Sequence, residues 1–152
     1  MATPLPQRAA LAALALTALL FSPAQAASPR QRDPLSAQFG LCGRSVQADN
    51  CVIDGDTFRM AGEKVRIADI DTPETHGARC GAEGALGRQA TMRLQALLNA
   101  GPFALASYQR DRDRYGRLLR LVTREGQSIG TLLVAEGLAR PWSGARQPWC
   151  RS

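Results

Sequence analysis

Two short segments share one pattern, and that pattern restricts the fold more than any other feature of the chain. Val52-Ile53-Asp54-Gly55-Asp56-Thr57-Phe58 and Val65-Arg66-Ile67-Ala68-Asp69-Ile70-Asp71-Thr72-Pro73-Glu74 each open on β-branched, apolar residues and end in acids beside a turn former. Such residues suit a pleated, half-buried surface, so both openings read as strands. Asp54-Gly55 reads as a tight turn or bulge, with glycine supplying the positive φ that sharp turns need. Thr72-Pro73 reads as a strand stop, because proline fixes φ and donates no ladder hydrogen bond. The strands would bring Asp56, Asp71 and Glu74 to one rim of a sheet. Carboxylates gathered there repel one another unless a cation lies between them. A hard cation such as calcium, which takes carboxylate, carbonyl and water oxygens, would fit. Any one of these acids alone reads as a solvated turn residue. Arg66 resists that reading, since it stands inside the strand between Val65 and Ile67 and leads to the acids.

The chain opens on a stretch that does not belong to the fold. Arg8 gives a positive start, Ala9 to Phe21 form an apolar run too short to span a bilayer comfortably, and Ala24-Gln25-Ala26 offers a small-x-small cleavage pattern. Residues 1–26 therefore read as an export signal, an uncleaved anchor being the alternative. The mature protein is expected to be soluble, free of the membrane, and secreted or periplasmic. Losing the signal removes Arg8, so the formal charge falls from +6 to about +5. A basic exported domain favours polyanions over acidic protein partners. Residues 27–40, polar and without periodicity, read as a flexible lead-in, and residues 41–152 as one domain with a single core.

Cys42, Cys51, Cys80 and Cys150 behind an export signal suggest two disulfides. Four cysteines allow three pairings. The favoured one is Cys42–Cys51, closing a short loop, with Cys80–Cys150 tying the loop after the acids to the C-terminal end. Zinc is the competing reading, but no Cys-x-x-Cys spacing occurs and His76 is the only histidine. His76 reads as a surface loop residue.

Between Glu83 and Asn99, residues Leu86, Ala90, Leu94, Leu97 and Leu98 recur at helical spacing, and Gly101-Pro102 ends the run. This is a core-packing helix. Phe103 to Tyr108 and Leu118 to Val122 read as strands. The alternating run Arg110 to Arg114 between them reads as a solvated loop, with Gly116 turning the chain and Arg117 entering the next strand towards the acids. A short helix is expected over Ile129 to Glu136, with Leu132, Leu133 and Leu138 packing inwards.

Ile53-Asp54-Gly55-Asp56-Thr57, then Arg66 and Asp71-Thr72-Pro73-Glu74, then Asp113-Arg114-Tyr115-Gly116-Arg117, resembles the thermonuclease (staphylococcal nuclease-like) family, in order, from about Cys51 to about Trp142. The resemblance implies an α+β fold: an OB-fold, a five-stranded β-barrel with flanking helices. It implies a nuclease in which Asp56, Asp71 and the Thr72 carbonyl hold Ca2+. Arg66 and Arg117 would grip phosphate oxygens, and Glu74 would act on the attacking water. Arg114 and Tyr115 are expected to touch substrate, and Asp54 to support the metal's waters. Asp69 stands outside the family pattern and is left out of the site. Hydrolysis of DNA and RNA by a monomer, preferring single strands and leaving 5′-hydroxyl and 3′-phosphate ends, follows as the expectation. The family's best-known member carries a further C-terminal helix, in whose place the Cys80–Cys150 bond would serve here. Two rivals differ in class. A non-catalytic OB-fold binding module need not keep all five of Asp56, Arg66, Asp71, Glu74 and Arg117. A disulfide-stapled calcium module would have no use for Arg66 and Arg117.

Overall fold

The computed structural model describes residues 35–43 and 49–150; the expected export signal and the first part of the lead-in lie outside them. In chain order the elements are β1 (Gly40–Leu41), β2 (Cys51–Asp54), β3 (Thr57–Met60), β4 (Glu63–Ile67), β5 (Ile70–Asp71), α1 (Gly81–Asn99), β6 (Ala104–Arg112), β7 (Leu118–Arg124), β8 (Gln127–Ser128), α2 (Ile129–Ala135) and β9 (Arg140–Pro141). The architecture is α+β, a mixed sheet with two helices. The sheet runs β1-β2-β3-β4-β7-β6, with β8 beside β7, and β5 and β9 form a separate pair. β2, β3 and β4 make an antiparallel meander. β7 then lies parallel to β4, because α1 and β6 carry the chain across before it returns. Seven strands share this sheet rather than five. A pairing that joins β6 back to β2 is not among those of the described residues.

The core forms where α1 lies over the meander. Ala90, Leu94, Leu97 and Leu98 are buried along one face of α1, as their spacing requires. They meet Val52, Val65, Ile67 and Val122 from the sheet and Ile129 and Leu133 from α2. Three aromatic rings fill the centre: Phe39 to Phe58 at 5.6 Å, Phe39 to Phe103 at 6.0 Å and Phe58 to Phe103 at 6.4 Å between centroids.

Three expectations are corrected. The lead-in is not loose over its last residues. Leu35 exchanges backbone hydrogen bonds with Phe103 (3.0 and 2.9 Å), and Phe39 is 3% exposed. The Asn99 side chain clamps the Phe39 backbone, accepting from its N–H at 2.8 Å and donating to its carbonyl at 3.0 Å. One aromatic ring in a polar stretch suffices to pin it, because burying such a ring stabilises by about 1.5–3 kcal/mol. The Arg–Asp run is partly strand, β6 reaching Arg112. Its charges are paired across the sheet, Arg112 with Glu63 at 3.0 Å and Arg120 with Asp111 at 2.6 Å, so alternating charge here marks exposed strand rather than loop. In α2, Leu133 is buried but Leu132 is 38% exposed, since neighbouring residues on a helix point about 100° apart.

Both expected disulfides are present. Cys42–Cys51 fastens the segment after β1 to β2, and Cys80–Cys150 joins the N-cap of α1 to the C-terminal segment. Among the described residues no helix is long and apolar enough to cross a membrane.

Candidate active site

The turn from β2 to β3 carries Asp54 and Asp56, with Gly55 between them. Gly55 does not adopt positive φ, contrary to the sequence expectation. It is required for closeness: a Cβ there would lie 2.6 Å from Ala90 Cβ and 3.0 Å from the Thr72 side chain. Glycine thus lets α1 and the Thr72 segment close over the turn.

Asp56 is 1% exposed. Its Oδ1 accepts from Thr57 Oγ1 at 2.8 Å and its Oδ2 from the Thr72 N–H at 3.4 Å. Arg66, projecting from β4, is also buried and places Nη2 3.2 Å from Asp56 Oδ2 and 3.8 Å from Asp71 Oδ1. Its Nη1 donates to the carbonyls of Ile67 (2.6 Å) and Ile70 (3.1 Å), and its guanidinium lies 5.2 Å from the Trp142 ring centre. A charge this deep is tolerable only when paired and hydrogen-bonded, and Arg66 is both.

A turn at Ala68-Asp69 splits the stretch expected as one strand into β4 and β5, which belong to different sheets. Asp69 consequently faces elsewhere. Its Oδ2 accepts from Ser128 Oγ at 2.7 Å and its carbonyl from the Trp142 N–H at 2.8 Å. Asp71 is buried with Oδ1 lacking any hydrogen-bond donor. Burial raises its carboxyl above the ordinary carboxylate range; the Arg146 charge opposes this, the Asp56 charge adds to it, and Trp149 and Arg66 oppose it. Burial, then the Asp56 charge, push the Asp54 carboxyl up to about 7. Asp54 Oδ1 accepts from the Asp56 N–H at 3.1 Å.

Glu74 follows Pro73 at the mouth of the cluster, and its position depends on a residue the sequence reading passed over. Gly87 of α1 packs on the Glu74 backbone so tightly that a Cβ would lie 2.6 Å from the Glu74 carbonyl oxygen. On the other wall, Arg117 forks onto Asp113, with Nε and Nη2 each 2.7 Å from Oδ2, and Nη1 reaches Thr57 Oγ1 at 3.4 Å. The guanidinia of Arg114 and Arg117 lie 4.8 and 5.6 Å from the exposed Tyr115 ring. Asp54, Arg66, Glu74, Arg114, Tyr115 and Arg117 line one groove of about 1370 Å³, whereas the buried Asp56, Asp71 and Thr72 lie behind its surface and Asp71 borders the smaller cavity beside it. Lys64, Arg79, Arg110 and Arg146 add to Arg66, Arg114 and Arg117 along the groove, against the acids Asp54, Glu74 and Asp113. Tyr108, Tyr115 and Trp142 offer rings between the charges. Such a surface suits a sugar-phosphate backbone carrying stackable bases.

The donor set also fits a hard cation: two buried carboxylates share one guanidinium nitrogen, and an oxygen of Asp71 has no hydrogen bond. His76 is exposed and lines a neighbouring cavity of about 320 Å³. The other close group of ligand-type atoms among the described residues, at Cys80, Glu83 and Cys150, contains the disulfide and is no metal site. Sequence reasoning missed Arg146 altogether. Its signal was indirect: it stands four residues before Cys150, whose bond to Cys80 draws this segment back to the acids.

The family model described as staphylococcal nuclease homologue matches residues 64–148. The chain belongs to that family. For a staphylococcal nuclease homologue the OB-fold is the implied architecture. The matched span holds Arg66, Asp71, Thr72, Glu74, Arg114, Tyr115 and Arg117, whereas Asp56 precedes it. The chain is 41% identical over 93 residues to Endonuclease YncB of Bacillus subtilis (strain 168), covering 58% of this chain and 44% of that protein. It is 39% identical over 93 residues to the SPbeta prophage-derived endonuclease YokF of the same organism, covering 58% and 31%. With Succinoglycan biosynthesis protein ExoI of Rhizobium meliloti (strain 1021) it shares 34% identity over 92 residues, covering 58% and 48%. The chain thus spans less than half the length of each of these curated relatives.

Proposed function

We propose that this staphylococcal nuclease homologue is an exported, calcium-dependent nuclease, secreted or periplasmic, that hydrolyses DNA and RNA with little sequence preference. The observation that carries the reading is the placement of Asp56 and Asp71 on one buried guanidinium, beside a basic groove that also holds Glu74 and Arg117. The names of the two Bacillus relatives point the same way. ExoI is named for succinoglycan biosynthesis, so kinship alone does not carry the activity and the site residues must. The leader-like first 26 residues and two disulfides support export.

Asp56, Asp71 and the Thr72 carbonyl would hold the ion, which supplies charge neutralisation at the phosphoryl oxygen. Arg66 and Arg117 supply permanently charged guanidinia for the remaining phosphate oxygens. Asp113 holds Arg117 by Nε and Nη2, leaving Nη1 towards Thr57 and the groove. Glu74 takes a proton from water as the water oxygen bonds to phosphorus. The bond to the 5′-oxygen breaks, that oxygen takes a proton from solvent, and the strand ends become 5′-hydroxyl and 3′-phosphate. Unpaired strands are the better substrates, because the groove's exposed Tyr115 needs an unstacked base. The protein works as a monomer, one chain carrying the whole constellation.

Purified mature protein should cleave a single-stranded DNA oligonucleotide and an RNA oligonucleotide in calcium and stop in excess chelator. Undiminished cleavage in chelator would overturn the metal assignment. Binding of both oligonucleotides without cleavage would leave an OB-fold binding module instead.

A further inference from the structure

The segment after β9 carries none of the reacting groups just named, yet it lies against the acids. It is fastened at three points. Pairing of β9 with β5 sets Arg140 opposite Asp71. Cys150 is bonded to Cys80, immediately before α1. The Arg140 guanidinium lies 3.7 Å from the Trp149 ring centre, and its Nη1 donates to the Pro148 carbonyl at 3.0 Å. Between these fastenings Arg146 turns towards the cluster. Its Nη1 pairs with Glu74 Oε1, and its Nε lies 3.5 Å from Asp71 Oδ1, the buried oxygen with no hydrogen-bond donor. Arg146 and Glu74 together border both the main groove and the smaller cavity beside it.

We propose that Arg146 is a positioning residue for the hydrolysis, aiming the Glu74 carboxylate into the groove; this rests on the nuclease reading above. Among the described residues Arg146 is the only ion-pair partner of Glu74. Glu74 sits outside any helix or strand, so its backbone fixes the side chain less than an element would. Two fixed points, Asp71 behind and the strap's fastenings on the far side, determine where the guanidinium stands. That in turn determines where the carboxylate points. A base displaced by about 1 Å loses on the order of 10²-fold in rate. The disulfide acts through Arg146: Cys80 lies six residues after Glu74, so the Cys80–Cys150 bond fixes the strap to the segment that carries the base.

The test is steady-state cleavage of a single-stranded DNA oligonucleotide in calcium by wild type, Arg146→Ala, Arg146→Lys, the double variant Cys80→Ser/Cys150→Ser, and that double variant carrying Arg146→Ala as well, each with its melting curve. Arg146→Ala should lower kcat roughly 10²-fold while KM moves less than about threefold. Free guanidinium at low millimolar concentration should restore part of the Arg146→Ala rate, which no loss of packing would allow. Arg146→Lys should be intermediate, and the cysteine double variant, where still folded, should lower kcat without adding to Arg146→Ala. If wild type cleaves and Arg146→Ala runs within twofold of it, the positioning role is overturned and the nuclease reading stands. A rise in KM alone would make Arg146 a substrate contact, and a faster Arg146→Ala enzyme would make it an obstruction; both overturn the proposal. An inert wild type would instead remove the nuclease reading itself.

Discussion

Arg66 and Arg117 carry the same charge into the same groove but stand in different surroundings, and their lysine variants should separate accordingly. Arg117 keeps 21% of its side chain exposed and depends on Asp113; Arg117→Lys should fold normally and lose turnover, by about 10³-fold if the fork acts mainly in the transition state. Arg66 serves two carbonyls and two carboxylates at once, more than one ammonium can replace. Arg66→Lys should therefore lose stability as well, about 1–3 kcal/mol, along with turnover. Paired melting curves and oligonucleotide kinetics check both, and equal melting temperatures for the two variants would contradict the distinction. Asp113 gives a pH signature. Burial would raise its pKa, but hydrogen bonds from the Arg117 side chain and backbone and from the Tyr115 backbone outweigh burial and hold it below the ordinary range. A depressed carboxylate stabilises the fold above its unfolded pKa of about 3.9 and loses that contribution as pH falls through the folded value. Asp113→Asn should melt below wild type at pH 7, and the gap should narrow below about pH 4.

At the scale of elements, α1 is both the main cover of the core and the surface on which the Glu74 backbone packs. Its interior Gly87 looks like a weakness, since alanine is favoured in a helix by up to about 1 kcal/mol. The contact decides the sign: with a Cβ 2.6 Å from the Glu74 carbonyl and 2.8 Å from that of Pro73, backbone must shift. Gly87→Ala should destabilise by about 1–3 kcal/mol and lower kcat together, as thermal melts and kinetics will show. This role was not legible in the sequence, where Gly87 is an ordinary interruption in a helical pattern. The helix itself was, because Ala90, Leu94, Leu97 and Leu98 repeat every three or four residues and nothing else uses that period. The extent of β6 was not, because pairing of Arg112 with Glu63 and Arg120 with Asp111 is a long-range fact invisible to local alternation. Gly55 was recognised as necessary but for the wrong reason, positive φ rather than lack of room.

For the molecule as a whole, two closures complete the fold from opposite ends. The Cys80–Cys150 bond closes a separation of 70 residues, and its loss should cost about 4 kcal/mol through the unfolded state. Urea unfolding of Cys80→Ser/Cys150→Ser against wild type measures this, and an unchanged midpoint would refute it. The acid cluster was readable from three sequence blocks, whereas Arg146 was not, because it arrives only through that closure. The other closure is the Leu35–Phe39 segment, and it bears on where the folding unit begins. The family model begins to match at Lys64, in the middle of a hydrogen-bonded sheet. A chain begun there would lack β3, so β4 would show its unpaired N–H and C=O groups on one side while β7 occupied the other. It would also lack Phe39 and Phe58, two of the three central rings. An open edge carrying Val65 and Ile67 recruits strands from other copies, so a boundary drawn by homology yields an aggregate, and one drawn by the sheet starts no later than Leu35.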